Sequence, residues 1–153
     1  MTKIAVFPGS FDPITIGHES VIRRALPMFD KIIVGVGLNP EKKAYFSIEE
    51  RENFIKDVFS DEGKIEIIRY KGLTIDFCRQ MNAHYIVRGL RTSADFEFER
   101  TIAQINKSMY PEIDTVFMLT MPEHTMINSS VVRDILKNGG DVSKFVPKKL
   151  KLS

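Results

Sequence analysis

The sequence predicts an α/β fold, an open, doubly wound parallel sheet with helices on both faces, and two observations carry that expectation. Short apolar runs recur at 4–7 (IAVF), 32–38 (IIVGVGL), 65–70 (IEIIRY), 85–89 (YIVRG) and 115–120 (TVFMLT). Their apolarity is continuous rather than alternating, as in strands covered on both faces. Between them, apolar residues return at helical spacing, so strand and helix alternate. Right-handed crossovers then build a sheet whose ligands gather at the carboxyl ends of the strands, near the point where strand order reverses.

Taken in order, IAVF is a strand that runs into GSFDPITIGH, residues 9–18. Gly9 is expected to supply a turn closed to other residues, Pro13 to fix the loop, and Gly17 to let an anion come close to a helix start. The helix is read from Val21, Ile22, Ala25 and Leu26, and Pro27 kinks or ends it by removing a backbone donor. IIVGVGL is the second strand, followed by a loop holding Lys42 and Lys43 and by a helix read from Phe54, Ile55, Val58 and Phe59. After IEIIRY, Phe77, Cys78 and Met81 make the apolar face of a short helix, so the single cysteine is expected to be a buried structural thiol. YIVRG precedes a helix read from Phe98, Ile102, Ile105 and Met109. His84, ahead of that strand, matches no motif and is read as structural. The last long helix starts at Ser129 and Ser130 and stops at Gly139 and Gly140. The tail FVPKKLKLS is expected to fray rather than to form a terminal helix.

A chain of 153 residues is read as one domain, 1–153, large enough to bury roughly two-thirds of its unfolded surface. Residues are 43% hydrophobic and 27% charged, and a formal charge of +2 is too small to point to nucleic acid or a membrane. MTKIAVF lacks a signal-peptide pattern, and no apolar run reaches the roughly 18 residues of a bilayer span, so a cytoplasmic location is expected.

Chemistry is expected first at residues 9–18. A helix N-terminus attracts phosphate through its unpaired N–H groups and partial positive charge, and the imidazole of His18 adds a donor aimed at the same oxygens. Neither GxGxxG nor GxxxxGK[ST] occurs, which disfavours a dinucleotide oxidoreductase and a P-loop ATPase. HExxH, paired CxxC and EF-hand patterns are also missing, so no dedicated protein cage for a metal is expected.

Thr15, Ile16, Gly17 and His18 form TIGH, which resembles the (H/T)xGH signature of the nucleotidylyltransferase superfamily. With GSFDPITIGH, RGLRTSADFEFE at 88–99 and INSSVVR at 127–133, nearly the whole chain resembles the bacterial phosphopantetheine adenylyltransferases. The resemblance implies a Rossmann-like fold of nucleotidylyltransferase type. It also implies transfer of the adenylyl group of ATP to 4'-phosphopantetheine, giving 3'-dephospho-coenzyme A and pyrophosphate. Mg²⁺ would be carried mainly by the ATP phosphates and water, with Asp12 either touching it through water or serving only the turn. A homohexamer and feedback by coenzyme A are further implications.

By the same resemblance, Ser10 and Phe11 would meet the ligands near the reacting phosphate, and His18 would stabilise the transition state there, joined by Lys42. Arg88 would hold the phosphate of phosphopantetheine, while Leu73 and Thr74 would touch its arm. Gly89, Leu90, Arg91 and Glu99 would bind ATP, with Arg91 on its phosphates. His124, Thr125, Met126, Ile127, Asn128, Ser129 and Ser130 would close over the nucleotide, the two serines holding its outer phosphates. Asn128 stands where a serine is usual, His124 where an aromatic residue is usual, and Thr74 where a larger apolar one is common. Enzymes of the superfamily that use nicotinamide mononucleotide or glycerol phosphate usually carry histidine at the position of Thr15, so Thr15 and RGLRTSADFEFE favour the pantetheine acceptor.

Overall fold

A computed structural model describes residues 2–152. Strands β1 (Ile4–Gly9), β2 (Lys31–Gly37), β3 (Ile65–Tyr70), β4 (Tyr85–Leu90) and β5 (Asp114–Leu119) form one sheet in the order β3-β2-β1-β4-β5. All pairs are parallel. Helices α1 (Ile16–Ala25), α2 (Ile48–Val58), α3 (Thr74–Gln80), α4 (Ser93–Met109) and α5 (Ser129–Lys137) alternate with the strands, giving a doubly wound, Rossmann-like arrangement. Strand order reverses between β1 and β4, so the loops after these two strands open the sheet's carboxyl edge.

Neighbouring residues of one strand enter opposite cores, as continuous apolarity requires. Ala5, Phe7, Ile32, Val34 and Val87 join Ile22, Ile55, Val58 and Val132 on one face. Val6, Ile33 and Ile86 join Ile75, Phe77 and Cys78 on the other. Cys78 is buried, and burial pushes its thiol pKa up to about 12, which leaves it inert as a nucleophile. Among the described residues no helix is long and apolar enough to cross a membrane.

Local chemistry sets the helix ends. Thr15, Ser47, Thr92 and Asn128 cap α1, α2, α4 and α5 through side-chain oxygens that accept first-turn amides. Pro27 acts as expected: α1 ends at Ala25 and a single 3₁₀ turn, Leu26–Met28, carries the chain to β2. Gly139, at φ 75°, follows α5 in the left-handed conformation of a C-terminal stop.

One expectation needs correction. Through residue 152 the tail does not fray: Val146 and Leu150, with Val142 just before them, are buried in the core beside α5, and the Phe145 carbonyl accepts the Ile16 amide at 3.0 Å; Ser153 lies outside the described residues. Apolar residues spaced by four, with lysines between them, let the segment lie on the core without regular structure. The helix read from Phe98, Ile102, Ile105 and Met109 forms as expected, and these side chains stay exposed, Phe98 by 67%. The one buried residue of α4 is Glu99.

Candidate active site

The turn between β1 and α1 is built around Phe11 rather than Gly9. Phe11 adopts φ 49°, and its ring folds back over Gly9, where a Cβ would lie 3.0 Å from the ring. The left-handed residue is therefore Phe11, and glycine is required at position 9 for close packing. This folding carries the Phe11 ring to the His18 imidazole, 5.0 Å between centroids, with Phe7 edge-on at 6.5 Å.

His18 is locked by a reciprocal cap. Its Nδ1 accepts the Thr15 amide at 3.0 Å, while the Thr15 Oγ1 accepts the His18 amide at 3.3 Å. A ring nitrogen that accepts a backbone N–H carries no proton, so the neutral ring is protonated at Nε2. Burial, then the charges of Arg88 and Arg91, hold the imidazole down to a pKa of about 4. At neutral pH His18 is an uncharged donor through Nε2–H.

The start of α1 is less open to an anion than the sequence suggests. The Phe145 carbonyl takes the Ile16 amide and Thr15 takes that of His18, so among the described residues Gly17 is left with the first-turn amide for a ligand. At the start of α5, Asn128 Oδ1 accepts the Val131 amide, the Ser129 hydroxyl donates to the Pro13 carbonyl at 2.8 Å, and Ser130 Oγ accepts from Arg133. The backbone amides of Ser129 and Ser130 and the Ser130 hydroxyl proton remain as donors at that helix end.

Two cavities, of about 650 and 550 Å³, open side by side at the carboxyl edge and share Ser10, Arg88 and Glu99 as common wall. Arg88 makes a two-pronged ion pair with Glu99, both contacts at 2.9 Å, and donates to the Pro8 carbonyl at 2.7 Å. A guanidinium has five N–H groups, so two stay available at the junction. Glu99, expected as an ATP ligand, has its carboxylate turned to Arg88. Arg91 pairs with Asp95 of the first turn of α4 at 3.1 Å.

The smaller cavity is lined by Phe11, His18, Lys42, Gly89, Arg91, His124, Ile127, Asn128, Ser129 and Ser130. The larger one carries Tyr70, Thr74, Ile86, Ile102 and Asn106, and the Tyr70 and Thr74 hydroxyls are 2.7 Å apart. Expected ligand residues Leu73, Leu90, Thr125 and Met126 line neither cavity. Leu90 is packed inward, whereas Met126 is 72% exposed. The buried Nδ1 of His124 has no hydrogen-bond partner.

Arg133 also lines the smaller cavity, bonding the Asp12 carbonyl at 2.8 Å and Ser130 at 3.1 Å. It received no role from the sequence, although its place three residues after Ser130 puts both on one helix face. Asp12, left open between ion contact and turn, is buried with both carboxylate oxygens on the Tyr45 and Phe46 amides.

Residues 6–135 match the family model described as cytidylyltransferase-like. Together, this match, the doubly wound sheet and the twin cavities at its carboxyl edge define the class as nucleotidyltransferase. The chain is 50% identical over 148 residues to the phosphopantetheine adenylyltransferase of Flavobacterium psychrophilum, covering 97% of each. It is 52% identical to that of Flavobacterium johnsoniae, covering 94% of this chain and 93% of the relative. With that of Cytophaga hutchinsonii it shares 47% identity, covering 98% of this chain and all of the relative. The chain thus belongs to the phosphopantetheine adenylyltransferase family, and it is an enzyme. A bifunctional NMN adenylyltransferase/ADP ribose pyrophosphatase from Francisella tularensis shares the fold, with a TM-score of 0.74 at 21% identity. That likeness covers 98% of this chain and 46% of the other.

Proposed function

We propose that the enzyme joins ATP and 4'-phosphopantetheine into 3'-dephospho-coenzyme A and pyrophosphate, the acceptor phosphate attacking the α-phosphate of ATP in line. The observation that carries this reading is the pair of cavities meeting at Ser10 and Arg88. ATP occupies the smaller, basic cavity, and the pantetheine arm lies in the larger one. The two phosphates then face each other at the shared wall.

In-line displacement at phosphorus needs positioning and charge neutralisation rather than a protein nucleophile. A phosphate monoester, with a second pKa near 6, attacks as the dianion and needs no general base. Arg88 directs its two remaining N–H groups to the acceptor phosphate. Lys42 and His18 Nε2–H meet the charge that grows on the α-phosphate, and Arg91 with the start of α5 holds the outgoing pyrophosphate. Because His18 stays neutral down to about pH 4, loss of activity on the acid side follows the acceptor phosphate, near pH 6.

Mg²⁺ fits this site as an ion brought in on ATP. Asp12 has both oxygens on backbone amides and Asp95 is paired with Arg91, so the ion would be held by phosphate oxygens and water. When bound it would add charge neutralisation to that of the basic side chains. Coenzyme A, which shares the pantetheine arm, competes for the larger cavity. The enzyme works in the cytoplasm as a homohexamer, a reading supported by family resemblance and by the exposed apolar side of α4.

The test is incubation with ATP, Mg²⁺ and 4'-phosphopantetheine, following pyrophosphate release and the mass of dephospho-coenzyme A. Both products should form only with the acceptor present, and His18→Ala should lower turnover by about 10²- to 10³-fold. Product formed instead from nicotinamide mononucleotide or glycerol phosphate would replace the acceptor. A protein that binds ATP yet turns over none of these would be a nucleotide-binding regulator.

A further inference from the structure

Among the described residues four polar or charged ones are buried: Asp12, Thr15, Arg51 and Glu99. Thr15 caps α1 and Glu99 pairs with Arg88, as described above. Asp12 and Arg51, only 6% and 5% exposed, are different. Among the described residues neither forms an ion pair. Each charge is instead used on backbone groups of two segments that the sequence keeps about 35 residues apart, a separation set by the intervening α1 and β2.

Asp12 accepts the Tyr45 amide at 2.8 Å and the Phe46 amide at 2.9 Å. Arg51, in the first turns of α2, donates to the Phe46 carbonyl at 3.2 Å and to the Ser10 carbonyl at 2.9 Å. The end of the β2–α2 loop is thereby tied to the β1–α1 turn by charge-assisted bonds in both directions, an amide pair to a carboxylate and a carbonyl pair to a guanidinium. Burying two charges is costly unless their hydrogen bonds are made, so the arrangement holds one geometry and disfavours looser ones. Ser10 and Asp12 also flank Phe11, whose φ of 49° persists only where its neighbours are fixed.

We infer that Asp12 and Arg51 are positioning residues for adenylyl transfer: they clamp the loop that carries Lys42 onto the turn that carries Ser10 and His18. Lys42 lies three residues before Tyr45 and lines the cavity that His18 lines. The inference rests on the role proposed for Lys42. The loop's other hydrogen bonds run from the Leu38 amide to the Tyr70 carbonyl at the β2 end, from the Lys42 amide to the Asn39 carbonyl and from the Glu41 amide to Asn39 Oδ1. None of these ties the loop to the turn before His18, which leaves that distance to the clamp.

The experiment compares Asp12→Asn, Arg51→Lys and Arg51→Gln with wild type, each alone and combined with Lys42→Ala. Circular dichroism identifies the folded variants, and Arg51→Lys keeps the buried charge while losing the forked reach to two carbonyls. In an otherwise native enzyme the clamp substitutions should lower kcat/KM for phosphopantetheine by about 10- to 10²-fold, the usual effect of misplacing a group by about 1 Å. ATP binding measured calorimetrically without acceptor should stay within about threefold in the Arg51 variants, since Arg51 lines neither cavity. In the Lys42→Ala background the same substitutions should add almost nothing, because the group they position is gone. Exchange of the Tyr45 and Phe46 amides should quicken in Asp12→Asn ahead of the core amides. Full additivity with Lys42→Ala, or an equal loss of ATP affinity in the Arg51 variants, overturns the inference and makes the pair a general stabiliser. Wild-type turnover in Lys42→Ala alone overturns the role of Lys42 and the inference with it.

Discussion

At the scale of single residues, His18 and Arg88 show how surroundings decide what a basic side chain does. His18 has a folded pKa of about 4, against roughly 6.5 in an unfolded chain. Between those values the unfolded chain binds a proton that the folded one does not. The contribution is therefore present above about pH 6.5 and is lost as pH falls toward 4, by at most about 3 kcal/mol. Melting curves of wild type and His18→Gln between pH 7 and 4.5 should converge toward the acid end, and parallel profiles would remove the assignment. Arg88 is tied to Glu99, so Arg88→Ala does two things at once. It takes away the group proposed to hold the acceptor phosphate, which should raise the KM for phosphopantetheine far more than that for ATP. It also strands the Glu99 carboxylate, at about 1–3 kcal/mol of stability. Arg88→Ala/Glu99→Gln should recover the melting temperature and leave the acceptor KM high; recovery of both would make Arg88 a purely structural partner of Glu99.

At the scale of elements, what could be read from the sequence was what local periodicity and backbone chemistry encode. Two-sided strands such as β1 and β2 declare themselves by unbroken apolarity, and Pro27 and Gly139 mark helix ends through constraints on the backbone itself. TIGH, RGLR and INSSVVR pointed to loops that meet at two adjoining cavities. Contacts between distant segments were not legible. Nothing in EERENF marks Arg51 as a buried clamp, nothing in RGLRTSADFEFE shows Glu99 turned to Arg88, and no local signal sets the Phe11 ring over Gly9. The tail is the clearest case, because its lysines suggest solvent while its apolar residues at four-residue spacing reach the core. Deleting residues 141–153 would uncover the pocket that holds Val142, Val146 and Leu150 and free the Ile16 amide that Phe145 caps. Each fully buried aliphatic side chain is worth about 1.5–3 kcal/mol, so the truncated chain should lose most of a small domain's margin of stability. Chemical denaturation measures this, and an unchanged midpoint would mean that the tail merely rests on the surface.

At the scale of the whole molecule, α4 is the element whose sequence and surroundings disagree. Its apolar residues have helical spacing, yet Ile102, Ile105 and Met109 remain 39%, 56% and 45% exposed along one stripe. A contiguous apolar stripe on a lone chain exposes surface that association would cover, and Phe98 and Ile102 extend it into the walls of the larger cavity. The homohexamer proposed above gives that stripe a partner and links assembly to the site, since the same helix carries the Glu99 that holds Arg88. Light scattering at micromolar concentration should return six chain masses for wild type. Ile105→Glu, which lines neither cavity, places a charge in the stripe and should yield smaller species with unchanged far-ultraviolet dichroism. If α4 depends on its neighbours for position, those smaller species should also show a raised KM for phosphopantetheine, with ATP binding by the smaller cavity largely kept. A wild-type monomer would refute the hexamer, while smaller species with an unaltered acceptor KM would separate assembly from the reaction.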